Sequence, residues 1–269
     1  MSDIPNNHKS VTVPDFLSAR SRGAKLTMLT AYDYTSARLL DAAGVDSILV
    51  GDSLGMVIQG QANILTVTLD EVIYHTRCVS RGVRRALLVA DMPFMSYQIS
   101  PEQALANAGR LIQEGGAHAV KLEGGKRMAG TVAKIAYADI PVIGHIGLTP
   151  QSVHRFGGFR VQRDMEQLLE DAHAIAQAGA FAIVLECIPA DIATQITEQL
   201  SIPTIGIGAG AGCDGQVLVM QDMLGMFEEL HPKFVKRYAE LGKSVVTAVQ
   251  RYCQEVQCRG FPGPEHEFK

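Results

Sequence analysis

The chain has 269 residues and a formal net charge of −4 at pH 7, so it carries no basic footprint for nucleic acid. Apolar residues make up 47% and charged residues 19%, which suits one large core, and no run reaches the roughly 18 apolar residues needed to span a bilayer. Residues 1–10 (MSDIPNNHKS) lack the apolar segment of a secretory leader, which predicts a cytoplasmic protein whose five cysteines stay reduced.

In chain order, residues 1–23 hold one short predicted helix around Val13–Ala19, placed to cap the bottom of the main domain. Unalternated runs rich in Val and Ile then predict strands at Leu26–Ala31, Ser47–Val50, Ala86–Ala90, Ala119–Leu122, Val142–His145, Ala182–Leu185, Thr204–Ile207 and Val217–Val219. Runs of this length without alternation suit strands buried on both faces, as in a parallel sheet. Between them lie helices with start signals. Thr68-x-x-Glu71 reads as a capping box, and Ser100-Pro101 as an N-cap followed by a proline at the first helical position. Met165, Leu168, Leu169, Ala172, Ile175 and Ala176 keep a helical period, as do Phe234, Tyr238, Leu241, Val245 and Val249. Gly44, Gly116 and Gly179 each precede a strand where a helix should end in the left-handed conformation. Eight strands alternating with helices and no linker favour one (β/α)8 TIM-type barrel over 24–258, with a flexible tail at 259–269; an open doubly wound sheet fits the pattern less well.

In such a barrel, chemistry gathers at the C-terminal ends of the strands. The residues there are Tyr32-Asp33, Asp52-Ser53, Asp91, Lys121, Glu123, His145 and Glu186. Asp52 and Asp91 each end a strongly apolar run. A bound cation would stabilise such carboxylates, whereas alone each reads equally as a helix or loop cap. Together with Glu123 they favour a metal, and hard oxygen ligands select Mg2+ or Mn2+ over zinc. Lys121 and Glu123, two residues apart, share one strand face. Lys121 pairs either with a substrate carboxylate or with a rim acid. Glu186, after four apolar residues, is either a general base or a structural carboxylate. His145 reads as a rim histidine of either kind, and Cys187 as packing. The glycine run 206–212 misses the GxGxxG spacing, so it reads as a loop allowing close backbone approach. Arg155–Arg163 (RFGGFRVQR) is either a lid over an anionic ligand or a solvated loop.

At these strand ends the sequence resembles the ketopantoate hydroxymethyltransferase family. The similarity is carried by LTAYDYTSA (29–37), VGDSLGMVIQG (50–60), DMPFMSY (91–97), VKLEGG (120–125), GHIGLTPQS (144–152), FGGF (156–159), LECIP (185–189), IGIGAG (205–210) and DGQVLVMQD (214–222). It implies transfer of a one-carbon unit from 5,10-methylenetetrahydrofolate to 3-methyl-2-oxobutanoate, giving 2-dehydropantoate in pantothenate biosynthesis. It also implies Mg2+, a cytoplasmic location and a homo-oligomer, usually a decamer. By the same resemblance Asp52, Asp91 and Glu123 bind metal, Asp52, Ser53, Asp91 and Lys121 contact substrate, and Glu186 accepts the proton. The rival readings are an isocitrate-lyase or phosphoenolpyruvate-mutase relative, although the nucleophilic cysteine loop of the lyases is absent, and a non-catalytic barrel serving binding or assembly.

Overall fold

The eight apolar runs become the strands of a closed parallel barrel. The computed structural model describes residues 9–227, 229 and 231–268; residues 1–8 of the 1–23 segment and the last residue of the tail lie outside the described residues. The strands are β1 (Leu26–Thr30), β2 (Ser47–Val50), β3 (Leu87–Asp91), β4 (Ala119–Glu123), β5 (Val142–Gly147), β6 (Ala182–Glu186), β7 (Thr204–Ile207) and β8 (Gly215–Leu218). They pair in chain order, and β8 returns to β1, so no open sheet edge remains. The helices of this part are α1 (Val13–Ala19), α2 (Tyr34–Ala43), α3 (Leu54–Val57), α4 (Leu69–Ser80), α5 (Pro101–Gln113), α6 (Ala129–Tyr137), α7 (Val153–Phe156), α8 (Met165–Gln177) and α9 (Ala190–Gln199).

Local signals act as expected. Thr68 and Glu71 form the reciprocal capping box of α4, and Ser100 accepts from Gln103 N–H to cap α5. Gly44, Gly116 and Gly179 all adopt positive φ where helices turn back toward strands. The glycine run after β7 lies against α9: a Cβ on Gly210 would come within 2.5 Å of the Ala190 Cβ, and one on Gly212 within 2.2 Å of Thr194 Oγ1. Close approach to a helix thus accounts for these glycines.

Three strands run one residue further than their apolar runs, so Asp91, Glu123 and Glu186 are the last residues of β3, β4 and β6. β8 starts two residues early, because Gly215 and Gln216 pair with Leu26 and Thr27 on one side and with Ile205 and Gly206 on the other.

The bottom of the barrel is closed by α1. Phe16 and Ala19 are fully buried in one cluster with Leu26, Leu87, Ala119 and Phe181, and the Phe16 and Phe181 rings meet edge to face at 5.9 Å.

The chain divides into two compact units, Met1–Val219 and Met220–Lys269, with the barrel in the first. The second contains α10 (Met220–Met223) and α11 (Leu241–Gln257). The periodic run that starts at Phe234 becomes helical only from Leu241. Tyr238, Leu241 and Gly242 N–H donate instead to the carbonyls of Met223, Leu224 and Gly225, so the preceding residues cannot close helical turns. After Cys258 the chain turns back, with the Phe261 ring 5.7 Å from Tyr252.

If α1 is a structural plug remote from the mouth, Phe16→Ala should destabilise the fold by about 3–5 kcal/mol in urea denaturation while leaving the chemistry of the mouth intact in the folded fraction. A loss below about 1 kcal/mol would mean that α1 is not part of the core.

Candidate active site

The register of β3, β4, β5 and β6 sets which side chains meet. Asp91 is in register with Lys121, Glu123 with His145, and Glu186 with Gly147, one pleat above Val184 and His145. Residues in register on neighbouring parallel strands face the same side, so these groups form successive levels at the barrel mouth.

Lys121 Nζ lies 2.8 Å from Asp91 Oδ1, and both are buried. Asp91 Oδ2 accepts the backbone N–H of Asp52 at 3.0 Å, tying the end of β2 to β3. Gly51 makes this approach possible: a Cβ there would sit 2.8 Å from Ser53 Oγ and 3.3 Å from Asp91 Oδ2. The Ser53 hydroxyl is 2.7 Å from the Tyr32 hydroxyl. On the other side Lys121 Nζ is 3.4 Å from His145 Nδ1, whose ring extends to place Nε2 at 3.2 Å from Glu186 Oε2.

Two residues without an assigned role from the sequence organise the cluster. Gln151 donates through Nε2 to Asp52 Oδ2 at 2.8 Å and to the Met92 carbonyl at 3.1 Å, while its backbone N–H donates to Glu123 Oε2 at 3.0 Å. Its side-chain oxygen accepts from the Tyr97 hydroxyl at 2.7 Å and from Gln98 at 2.9 Å. Tyr97 in turn accepts the Glu123 N–H at 3.1 Å. Both stand in segments, GHIGLTPQS and DMPFMSY, that carry the family resemblance. Their neutral side chains leave no charge signal to single them out.

Electrostatics follow from burial. The Asp52 carboxyl is pushed up to about 7 by burial and then by the Asp91 charge. Glu123 is held well above the usual carboxylate range by burial and by Asp52. Burial alone would lower the Lys121 ammonium, but Asp91, Asp52 and Glu123 outweigh it and hold it above its ordinary value. Burial and the nearby Lys121 lower the His145 imidazolium, which leaves the ring neutral at pH 7. Neutral His145 then accepts from Lys121 at Nδ1, while its buried Nε2 makes no hydrogen bond in the structure and lies close to Glu186. The Cys187 thiol is raised to about 11 by burial and by Glu186, which agrees with a packing role.

Asp52, Asp91, Lys121, Glu123, His145 and Glu186 therefore converge. Asp33 does not join them, because it caps α2 by accepting from Ser36 N–H at 2.8 Å. The Glu186 side chain is 16% exposed, whereas the Glu123 side chain is only 4% exposed, so Glu186 faces the opening and can meet an incoming ligand. Most of the Arg155–Arg163 loop is exposed, and Gln162 N–H ties it to the Cys187 carbonyl at 3.1 Å.

Among the described residues no three His, Cys, Asp or Glu side chains are grouped so as to hold a metal ion as they stand. The donor set still fits a hard divalent cation. Three buried carboxylates face one ammonium, and the upward displacement of Asp52 and Glu123, caused first by burial and then by a neighbouring carboxylate, is one that a bound cation would offset.

Comparison with known proteins shows the family of the chain. The family model described as ketopantoate hydroxymethyltransferase matches residues 10–264. A 3-methyl-2-oxobutanoate hydroxymethyltransferase of Pelobacter propionicus is 58% identical over 271 residues, covering 100% of both chains. One of Clostridium novyi is 59% identical over 262 residues, covering 96% of this chain and 95% of the relative. Among solved structures, a phosphonopyruvate hydrolase complexed with oxalate and Mg2+ aligns with a TM-score of 0.62 at 14% identity, over 92% of this chain and 87% of that one. A 2,3-dimethylmalate lyase, described as a PEP mutase/isocitrate lyase superfamily member, aligns with a TM-score of 0.62 at 17% identity, over 96% and 88%. At such identities the last two share the fold.

The charge imbalance has a pH signature. Asp52 titrates near 3.8 in an unfolded chain and near 7 in the folded one. Below the lower value it is protonated in both states. As pH rises through that window the unfolded chain ionises first, and folded stability falls. With a chelator present, Asp52→Asn should therefore gain stability over the parent as pH rises from about 4 to 7, then level off, in thermal denaturation. A difference constant across that range would show that the carboxylate ionises as readily folded as unfolded.

Proposed function

The chain belongs to the ketopantoate hydroxymethyltransferase family, and on that premise we propose that its barrel mouth transfers a one-carbon unit from 5,10-methylenetetrahydrofolate to 3-methyl-2-oxobutanoate, giving 2-dehydropantoate. The observation that carries the reading is the junction, through neutral His145, of a buried carboxylate–lysine cluster with a more exposed carboxylate, Glu186, at one mouth.

Asp52, Asp91 and Glu123 would hold Mg2+. When bound, Mg2+ supplies Lewis-acid stabilisation of negative charge on the oxygens of the oxo acid. Lys121 offsets the charge that develops beside Asp91, and Ser53 offers a hydroxyl at the same edge of the site. Glu186, facing the opening, takes the proton from C3 of the oxo acid. His145, placed 3.2 Å away, orients that carboxylate without adding charge. Around Asp91, Lys121 and Glu123 buried neighbours exclude water, so these charges act in a low dielectric, while Glu186 stays open to the incoming ligand. The carbanion attacks the methylene carbon of 5,10-methylenetetrahydrofolate as one C–N bond opens. Water then displaces the second folate nitrogen to leave the hydroxymethyl group, and tetrahydrofolate departs with the proton taken from C3 and one from water on its two nitrogens. C3 is a weak acid, and a preorganised charge environment is what lets a carboxylate deprotonate it.

A cytoplasmic location and a homo-oligomer, a decamer as is usual in the family, complete the proposal. An exposed apolar stripe supports the oligomer: Val245, Val246, Val249, Tyr252 and Val256 of α11 are exposed, and no residue of that helix is buried. The lyase alternative has only the shared fold in its favour.

Two measurements test the assignment. Glu186→Gln should slow exchange of the C3 proton of 3-methyl-2-oxobutanoate in deuterated water by at least about 100-fold. Near-normal exchange would remove Glu186 as the base. Asp52→Ala and Asp91→Ala should each weaken Mg2+ binding by calorimetry by about 100-fold or more, since even outer-sphere partners are worth roughly 10- to 100-fold. Unchanged affinity would put the metal elsewhere.

A further inference from the structure

Beside the carboxylate cluster a cavity of about 570 Å3 opens along the ends of β4 and β5 and the start of α8. Gly124, directly after Glu123, and Gly147, in register with Glu186, both border it. A Cβ on Gly147 would come within 2.3 Å of the Glu186 carbonyl oxygen, so at this edge the cavity abuts the strand end that carries Glu186. Ile146 and Leu168 add apolar wall. A space of several hundred Å3 matches a ligand far larger than a five-carbon oxo acid.

The charges around it are unequally employed. Asp164 caps α8 by accepting from Gln167 N–H at 3.1 Å, Asp171 accepts the Lys126 N–H at 2.7 Å, and Glu170 pairs with the Lys126 ammonium. The two arginines are not so engaged. Arg127 reaches only Ser152 Oγ, at 3.5 Å, and among the described residues Arg155 has no ion-pair or hydrogen-bond partner. Two guanidinium groups without carboxylates, at the rim of a cavity with apolar walls and glycines at its edge, suit a flat polar ring system that carries an anionic tail.

We propose that this cavity is the binding site of the folate co-substrate, with Arg127 and Arg155 recognising the carboxylates of its glutamate tail. This rests on the function proposed above. It deepens that reading by giving the co-substrate a place distinct from the carboxylate cluster, next to Glu186. It also gives the Arg155–Arg163 loop a role, since Arg155 at its start carries one of the two cations.

The test uses the full chain and separates the two substrates. Arg127→Ala, Arg155→Ala and the double variant should raise the KM for 5,10-methylenetetrahydrofolate, the double variant by about tenfold or more. Deuterium exchange at C3 of 3-methyl-2-oxobutanoate, measured without folate, should stay within about twofold of the parent, because both arginines lie outside the cluster that handles the oxo acid. With 5,10-methylenetetrahydropteroate, which lacks the glutamate tail, the same substitutions should change KM by less than about twofold. An unchanged folate KM in a double variant that still exchanges the C3 proton would overturn this inference alone, as would an equal rise in KM for the tail-less compound. Absence of both exchange and folate-dependent product in the unaltered protein would overturn the parent reading and this inference with it.

Discussion

Three carboxylates buried around one ammonium is the constraint on which the mouth of this barrel depends. Isolated charges in an apolar interior are costly, and a protein keeps them only by pairing, by hydrogen bonding or by neutralising them. All three devices are present. Lys121 pairs with Asp91, the Asp52 N–H and Gln151 serve individual carboxylate oxygens, and Asp52 and Glu123 are displaced toward their neutral forms. None is sufficient alone, which is why the groups sit on the most rigid part of the fold. Asp91, Lys121 and Glu123 are strand residues, so the geometry that manages their charge is fixed by the barrel's own hydrogen bonds.

Register turns this constraint into a graded site. The in-register pair Asp91–Lys121 lies lowest, Glu123 and His145 form the next level, and Glu186 stands above them where the mouth opens. The lower two levels are equally buried and only Glu186 is part-exposed, and the chemistry available changes at that step. Deep groups hold fixed charge in a low dielectric, whereas Glu186 keeps access to solvent and to an incoming ligand. Neutral His145 links the levels without adding to the charge, so the deep cluster can orient Glu186 while its own balance is undisturbed.

Much of this is legible in the sequence because strands buried on both faces must be continuously apolar, and the residue that ends such a run must be polar for a reason. Asp52, Asp91, Lys121, Glu123 and Glu186 stand out on that ground. Register is not legible: a run of Val and Ile says nothing about which neighbour lies beside it, so the pairing of Lys121 with Asp91 and of His145 with Glu186 needs the fold. Asp33 resembles a rim acid because strand end and helix N-cap are adjacent positions, and only the Ser36 amide decides between them. The late start of α11 is hidden for a similar reason. Phe234 and Tyr238 keep the helical period, but their backbone neighbourhood donates to Met223–Gly225, and periodicity carries no information on competing hydrogen-bond partners.

Gln151 shows most clearly why the remainder is hidden, and why it is arranged as it is. It bridges Asp52 and Glu123 from a loop after β5, with Tyr97 and Gln98 fixing the orientation of its amide. A lysine or arginine there would satisfy the same oxygens and also cancel their charge, removing the demand for a cation. A leucine would leave a buried carboxylate oxygen unsatisfied. A neutral amide does neither: it holds the carboxylates in position and leaves the negative charge uncancelled. The displacement of Asp52 toward neutrality is the stability cost of that choice, and the divalent cation proposed for this site would relieve it. Folding and ligand capture thus share one electrostatic reservoir, and the groups that hold it open are the ones without charge.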